Sequence, residues 1–385
     1  MTGRRLFPAC DGLRAMAAGS VFLFHAADLT GVVTTSAAGA YLFQLDVGVD
    51  VFFVLSGFLL YRPFVRAHLE GGPAPTISRF YKRRVLRIFP AYWLVLMAVL
   101  YVFHQAAAPT THDGLVYFSL TQIYSKRLAL GGLVPAWSLC TEISFYAVLP
   151  LYAWAVRRVA HGRGKLRAEL LGVALLYVAS GLFRATMNHQ GTSITTTWLP
   201  SYLDVFALGI LLAVVTVAVE NGLAGRWWHL VPRDALVWWG SAGALFFAVS
   251  NMGMPVGLTT VAADKYMLHH LLAGAIGALL VCPAVLHADA GGLIRDVLSS
   301  RPLRALGLVS YGVFLWHLPL LTQVAKWTSA HQSTGAFWPV LLGGAVLTLA
   351  SAWVTYVLIE RPLMQSRAGR RQPPLGVVTT PSSGS

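Results

Sequence analysis

Apolar residues occur in ten long blocks along the chain, and short polar stretches separate these blocks. The blocks start near Gly12, Val47, Ile88, Pro135, Ala168, Leu199, Ala235, Tyr266, Leu306 and Phe337. A membrane-spanning helix needs about 20 mostly apolar residues, and the block at Ala235 fits this length least well. The pattern predicts an all-α integral membrane protein, built as a bundle of about ten transmembrane helices without an internal repeat.

The composition supports lipid as the solvent of these helices. The chain of 385 residues is 56% hydrophobic and only 11% charged, whereas roughly a quarter of an ordinary soluble domain is charged. The three cysteines, Cys10, Cys140 and Cys282, lie in or beside apolar blocks. Neither a disulfide framework nor a cysteine nucleophile is therefore expected.

The basic residues indicate how the chain is oriented. If the N-terminus is cytoplasmic, 24 of the 29 lysine and arginine residues fall in cytoplasmic segments and their flanks, and 5 fall on the outer side. The positive-inside rule predicts this bias for an even number of spans, so we expect both termini in the cytoplasm and the chain in the cytoplasmic (inner) membrane. The net charge of +14 then reflects topology and requires no nucleic-acid partner.

Two segments lie outside the predicted bundle. Residues 108–134 are too polar to span and are expected to form a short interfacial helix or loop on the outer side. Residues 365–385 are rich in Arg, Pro, Gly and Ser, which predicts a disordered cytoplasmic tail and leaves 1–364 as the transmembrane domain.

Ionisable groups inside the first predicted helix are the first candidates for chemistry. In "CDGLRAMAAGSVFLFHAADLTG", ten residues separate Arg14 from His25, so both side chains share a helix face about 16 Å apart. Arg14 then lies near the cytoplasmic interface and His25 near mid-membrane. His25 could serve packing alone, but ionisable groups within a membrane are costly and often functional.

The next two predicted helices add polar groups at matching depths. In "DVGVDVFFVLSGFLLYRPF", Asp50 lies near the outer end, while Ser56 and Gly57 are near mid-depth, where small residues also serve ordinary helix packing. In "RFYKRRVLRIFP", Arg84 and Arg87 are one turn apart, so both could hold one phosphate group. Topology and attraction to anionic lipid explain that basic run equally well.

Two later helices also carry buried polar residues. Glu142 lies about two turns below the outer surface in "PAWSLCTEISFYAVLP", and pairing with His25 would orient the imidazole. In "SYGVFLWHLPL", Ser310 and His317 share one helix face. His25, Ser56, Glu142 and His317 thus predict one cavity through the bundle, suited to an anionic cytoplasmic donor and a hydroxyl-bearing acceptor. His269 and His270 near Asp264 do not have zinc-motif spacing, so no metal is expected.

Six motifs in order resemble the acyltransferase-3 family of integral membrane O-acyltransferases. They are "DGLRAMAAGSVFLFHA", "VGVDVFFVLSGFLL", "YKRRVLRIFPAYWL", "WSLCTEISFY", "SYGVFLWHLPL" and "ERPL". The resemblance implies that residues 1–364 form the family's transmembrane domain. It also implies transfer of an acyl group, which we expect to be acetyl, from cytoplasmic acyl-CoA to a hydroxyl of a cell-surface glycan or glycolipid. Acyl-CoA would be a co-substrate, and no permanently bound cofactor is expected.

The resemblance also suggests roles for single residues. It implies that His25 is the general base, with Glu142 as the second catalytic residue, and that Arg14, Arg84 and Arg87 bind acyl-CoA. A covalent acyl-histidine relay remains an alternative. The residues expected to form the substrate pocket are Asp50, Ser56, Trp137, Ser138, Tyr311 and His317.

Other functions remain open at this point. A macrolide-type antibiotic could be the acceptor in place of a glycan. A secondary transporter would also have about ten spans and polar groups at the midplane, although its repeated halves are not seen here. A structural or lipid-binding membrane protein has little need for four polar sites inside the bundle. Release of free CoA would distinguish the enzyme from both.

Overall fold

A computed structural model describes residues 7–107, 109–160, 162–187, 194–254, 261–287, 290–328 and 334–365. The described residues are mostly helical and contain no strand. The predicted tail, apart from Gln365, lies outside the described residues. The all-α fold class is therefore confirmed for the part of the chain that the structure describes.

Within the described ranges, ten long helices occupy the positions of the ten predicted spans. They are α1 (Ala9–Leu29), α2 (Gly48–Leu69), α3 (Ile77–Met97), α4 (Ala136–Val159), α5 (Lys165–Met187), α6 (Leu199–Glu220), α7 (Ala235–Ser250), α8 (Ala263–Val285), α9 (Arg301–Trp327) and α10 (Phe337–Thr355). Single π-helical turns extend α3 over Ala98–Val102 and α10 over Tyr356–Glu360, and Arg361–Gln365 follows as a last helical turn. Short helices at Val32–Thr35, Gly39–Phe43, Thr111–Phe118 and Leu293–Leu298 connect them.

Eight helical segments in the described ranges are long and apolar enough to cross a membrane. The other two long helices are α1 and α7. Helix α1 has 21 residues but carries Asp11, Arg14, His25 and Asp28, which lower its hydropathy. Helix α7 has 16 residues and is therefore about 24 Å long, shorter than the hydrocarbon core of a bilayer. The prediction that the seventh span is the weakest agrees with this length.

Small residues bring the central helices into backbone contact. Helix α2 packs along α6, and α1 packs along α9. A methyl group on Gly57 would overlap the carbonyl oxygen of Phe206, and one on Gly209 would overlap that of Val54. The predicted close approach at Gly57 is therefore present, and it fixes the neighbouring Ser56 on the inner side of the bundle.

The polar segment between α3 and α4 folds against the ends of the bundle. It contains the short helix Thr111–Phe118, in agreement with the expected short helix or loop. The Tyr92 hydroxyl donates a hydrogen bond to the carbonyl of Tyr117 at 2.8 Å, which ties this helix to α3. Arg127 donates two hydrogen bonds to the Asp113 carboxylate, which hold the pKa of Asp113 at about 2.

Candidate active site

A cavity of about 200 Å³ opens among helices α1, α2, α3, α4 and α9. One side of it is apolar and includes phenylalanine and leucine side chains. Its polar lining consists of Arg14, Ser56, Arg84, Arg87, Ser138, Glu142, Tyr146, Ser310 and Tyr311. Seven of these nine residues are ones that the sequence singles out for catalysis, acyl-CoA binding or the substrate pocket. The cavity therefore gathers most of the predicted site from five helices that are distant in sequence.

Glu142 is the carboxylate of this cavity, and two hydroxyl groups hold it. Ser56 on α2 and Tyr146 on α4 both donate hydrogen bonds to its Oε1 atom. Tyr146 reaches it because residues four apart lie one above the other on a helix. The sequence-based pairing of Glu142 with His25 is wrong, because the structure gives Glu142 these two partners and forms no ion pair with His25. A carboxylate at mid-depth can meet several helices, and depth alone does not select among them.

Three arginines, Arg14, Arg84 and Arg87, face the cavity, and none forms a direct ion pair with a carboxylate of the described residues, although Glu142 interacts electrostatically with Arg14 and Arg84. Arg84 lies between two aromatic rings, 5.7 Å from the centroid of Phe80 and 5.7 Å from that of Tyr146. Its Nε atom is buried and has no hydrogen-bond partner within the described residues. Arg87 lies one turn further along α3 and is close enough to repel Arg14 electrostatically. Positive charges held together in this way favour an anion between them.

The two predicted histidines meet each other rather than Glu142. The ring centroids of His25 on α1 and His317 on α9 are 5.1 Å apart. His317 is 1% exposed, and its Nδ1 atom is 2.6 Å from the carbonyl oxygen of Phe314. Its Nε2 atom is buried and has no hydrogen-bond partner among the residues described. His25 is partly buried and packs against the ring of Phe24 on its other side.

Phe314 connects the cavity lining to the histidine pair. It lines the cavity, and its ring lies 6.1 Å from Phe52 and 5.6 Å from His317. His317 follows it by about one turn on α9. The prediction that one cavity contains all four mid-depth polar groups is therefore wrong. Ser56 and Glu142 line the cavity, whereas His317 follows the lining residue Phe314 by one helical turn and His25 packs against His317.

The remaining predicted pocket residues divide in the same way. Ser138 and Tyr311 line the cavity, and the Tyr311 hydroxyl donates to the carbonyl of Ile88 at 2.8 Å. Trp137 does not line it and packs on Tyr202 with ring centroids 5.7 Å apart. Asp50 is also outside the cavity lining; it is buried and interacts electrostatically with a polar network on α5, α6 and α8.

That network is a feature that sequence analysis missed. Arg184 on α5 binds the Asp204 carboxylate at 2.6 Å, and His270 on α8 lies 3.2 Å from the same group. His269 lies 2.7 Å from the Oε1 atom of Gln44 instead. The adjacent histidines therefore serve two different hydrogen-bonded pairs. In the sequence, Arg184 lies near a helix end and looks like one of the basic residues that set membrane orientation. No local motif reveals its partner on α6.

Tyr146 is, with Ser310, one of the two polar cavity residues that the predicted site did not include. Its hydroxyl binds Glu142 and its ring contacts the Arg84 guanidinium, so it joins the carboxylate to the arginine cluster. A signal was present in "TEISFY", because Glu142 and Tyr146 are spaced by four residues on one helix face.

The fold and the cavity define the class of protein to which the chain belongs. It is a multi-pass helical membrane protein with an arginine-lined site inside the bundle. The chain belongs to the acyltransferase-3 family, since the model of that family's acyltransferase domain matches residues 7–357. The resemblance seen in the six motifs is thereby confirmed. No protein of known structure matches the chain.

Curated relatives show the range of this family. The chain is 30% identical over 362 residues to the "Exopolysaccharide production protein ExoZ" of Rhizobium meliloti, covering 91% of this chain and 96% of that protein. It is 24% identical to the "Acyltransferase MdmB" of Streptomyces mycarofaciens, and the match covers 97% of this chain and 95% of that protein. It is 25% identical to the "Peptidoglycan O-acetyltransferase OatA" of Listeria monocytogenes, with 94% of this chain matched to only 56% of that protein.

Proposed function

We propose that this chain is an acyl-CoA-dependent O-acyltransferase of the cytoplasmic (inner) membrane. It transfers an acetyl group to a hydroxyl of a cell-surface glycan or glycolipid. The observation that carries the proposal is the convergence of Arg14, Arg84 and Arg87 on one buried cavity, none of them neutralised by an ion pair among the described residues. CoA carries several phosphate groups, and arginine binds phosphate through two parallel hydrogen bonds.

In this mechanism the thioester end of acyl-CoA occupies the cavity. Ser56 and Tyr146 hold the Glu142 carboxylate there, where it balances part of the arginine charge. The cavity volume of about 200 Å³ and its apolar wall suit a short acyl group such as acetyl better than a long chain.

His25 acts as the general base from its position beside His317. Its neutral nitrogen takes the proton of the acceptor hydroxyl while the hydroxyl oxygen attacks the thioester carbonyl. A carbon–oxygen bond forms, the carbon–sulfur bond breaks, and the departing thiolate takes the proton back from the His25 imidazolium to give free CoA and neutral His25. The thioester and the hydroxyl meet beside Phe314, which lines the cavity and whose ring contacts His317, the neighbour of His25. An acyl-histidine relay would replace the single transfer by two.

The relatives support a glycan acceptor more than a macrolide. The names of the exopolysaccharide and peptidoglycan proteins refer to surface glycans. A macrolide-type antibiotic, which the sequence leaves open as an acceptor, is the second candidate. Mass spectrometry of surface glycans and lipids from wild-type and deletion strains distinguishes these acceptors.

The enzymatic proposal is tested with purified protein in lipid nanodiscs. Wild-type protein supplied with acetyl-CoA and surface glycan should release CoA, detected with a thiol reagent. His25→Gln keeps the side-chain size but cannot take a proton, so it should lose about 10²–10⁴-fold in rate. Absence of CoA release from wild-type protein with either acceptor class would favour a transporter. Near-normal turnover by the glutamine variant would exclude His25 as base.

The orientation is tested separately. Both termini are proposed to be cytoplasmic, because this orientation places 24 of the 29 basic residues on the cytoplasmic side and 5 on the outer side. A reporter fused after Ser385 should be active only in its cytoplasmic form. Activity of a periplasm-specific reporter at that position would require an odd number of spans.

A further inference from the structure

One ring nitrogen of His317 makes a hydrogen bond, and the other makes none among the described residues. This difference determines which nitrogen carries the proton. A carbonyl oxygen can only accept a hydrogen bond, so the 2.6 Å contact with Phe314 requires the proton on Nδ1. Nε2 is then the nitrogen with the lone pair. It is buried and has no hydrogen-bond partner among the described residues, in a side chain that is 1% exposed. A buried hydrogen-bond acceptor without a donor lowers the stability of the folded protein. A donor that reached this nitrogen would therefore be stabilising.

His25 is the donor within reach. Its ring centroid lies 5.1 Å from that of His317, and its other ring neighbour is the apolar Phe24. A neutral imidazole carries one N–H donor and one lone pair. A small rotation of the His25 ring allows its N–H to point at Nε2 of His317. The second nitrogen of His25 is then necessarily the proton acceptor.

We infer that His317 is a positioning residue for the base: it accepts a hydrogen bond from His25 and fixes the tautomer in which the other nitrogen receives the acceptor's proton. The inference rests on the proposed function. The arrangement follows the logic of hydrolytic triads, in which a third group orients the base and stabilises its protonated form. Here the third group is a neutral imidazole, itself fixed by the backbone carbonyl of Phe314.

Two substitutions of His317 separate this role from simple packing. His317→Gln retains a hydrogen-bond acceptor on a side chain of similar reach. His317→Phe retains a ring of similar size but offers no acceptor. We expect His317→Phe to lower kcat by about 10-fold to 100-fold at an unchanged KM for acyl-CoA, because only the orientation of the base is lost. His317→Gln should restore much of that loss.

Phe24→Leu is the matched control, because it alters the apolar neighbour of His25 and leaves the nitrogen contact intact. Its kcat should stay within about threefold of wild type, as expected for a volume-conserving apolar change. Equal kcat for the phenylalanine and glutamine variants of His317, or equal losses in all three variants, would overturn the positioning role.

A second measurement, of the His25 tautomer itself, tests the inference even if the His317→Phe variant folds poorly. Nitrogen-15 spectra of histidine-labelled protein report which His25 nitrogen carries the proton. A single His25 tautomer is expected in wild-type protein and in His317→Gln, and a mixture in His317→Phe. A tautomer mixture already in wild-type protein would overturn the inference. If wild-type protein releases CoA and His25→Gln does not, the proposed function stands whatever the result at His317.

Discussion

The hydroxyl of Tyr146 donates a hydrogen bond to the carboxylate of Glu142, one turn earlier on α4. The same tyrosine presents its ring to the Arg84 guanidinium at 5.7 Å. One side chain thus holds the carboxylate of the cavity through its polar end and an arginine through its aromatic face. These two contacts can be removed one at a time.

Tyr146→Phe removes the hydroxyl and keeps the ring. A hydrogen bond to a charged group contributes about 1.5–3 kcal/mol, so we expect kcat to fall by about 10-fold to 100-fold with the KM for acyl-CoA unchanged. Tyr146→Leu also removes the cation–π contact, worth about 0.5–2 kcal/mol, and should raise that KM as well. Ser56→Ala is the control, since it removes the other hydroxyl on Glu142 and should resemble Tyr146→Phe. Equal effects of the phenylalanine and leucine variants on KM would contradict the separation.

Arg87 and Arg83 provide a test of the donor site within one basic run. Arg87 lines the cavity, whereas Arg83 is exposed and does not. Loss of a charge-assisted hydrogen bond costs about 1.5–3 kcal/mol, so Arg87→Ala should raise the KM for acyl-CoA by about 10-fold to 100-fold. The KM for the acceptor should change little. Arg83→Ala should leave both constants within about twofold, as is usual for an exposed surface change. Similar effects of both variants would indicate a topological role for the run.

The sequence was sufficient to locate the helices and most of the cavity. Long apolar blocks mark the spans, and spacing of one turn correctly places Arg84 beside Arg87 on one face. Depth in the membrane, however, says nothing about which neighbouring helix a side chain meets. Glu142 and His25 have similar expected depths, yet Glu142 faces α2 and His25 faces α9. Asp50 likewise lies at the expected end of α2 but faces the network around Asp204. Lateral packing of this kind depends on the tertiary fold.

Gly57 is expected to be required for the contact between α2 and α6. A methyl group there would overlap the Phe206 carbonyl oxygen, and backbone atoms cannot move aside as a flexible side chain can. Overpacking of this kind costs about 1–3 kcal/mol, so Gly57→Ala should lower the thermal unfolding temperature in detergent. Gly19→Ala is the control, because no atom lies within 4 Å of the added methyl group. A Gly57→Ala protein as stable as Gly19→Ala would show that the two helices can separate without loss.

The buried ion pair of Arg184 and Asp204 gives a prediction that separates stability from catalysis. Both side chains are almost fully buried, and neither lines the cavity. Asp204→Asn keeps the shape of the side chain but leaves the Arg184 charge without its counter-ion, which typically costs about 3–5 kcal/mol. Ser180 donates a hydrogen bond to the same carboxylate at 3.0 Å and accepts one from Arg184 at 3.0 Å, so Ser180→Ala removes two hydrogen bonds but leaves no buried charge unpaired.

We therefore expect Asp204→Asn to lower the unfolding temperature much more than Ser180→Ala. The protein that remains folded at low temperature should retain the wild-type KM for acyl-CoA, because the arginine-lined cavity is unchanged. Thermal unfolding and CoA-release kinetics on the same preparations provide both measurements. Replacing the charged pair by Arg184→Met with Asp204→Leu should recover part of the lost stability, since no unpaired charge then remains. Loss of CoA release by Asp204→Asn at unchanged stability would instead show that the network takes part in the reaction.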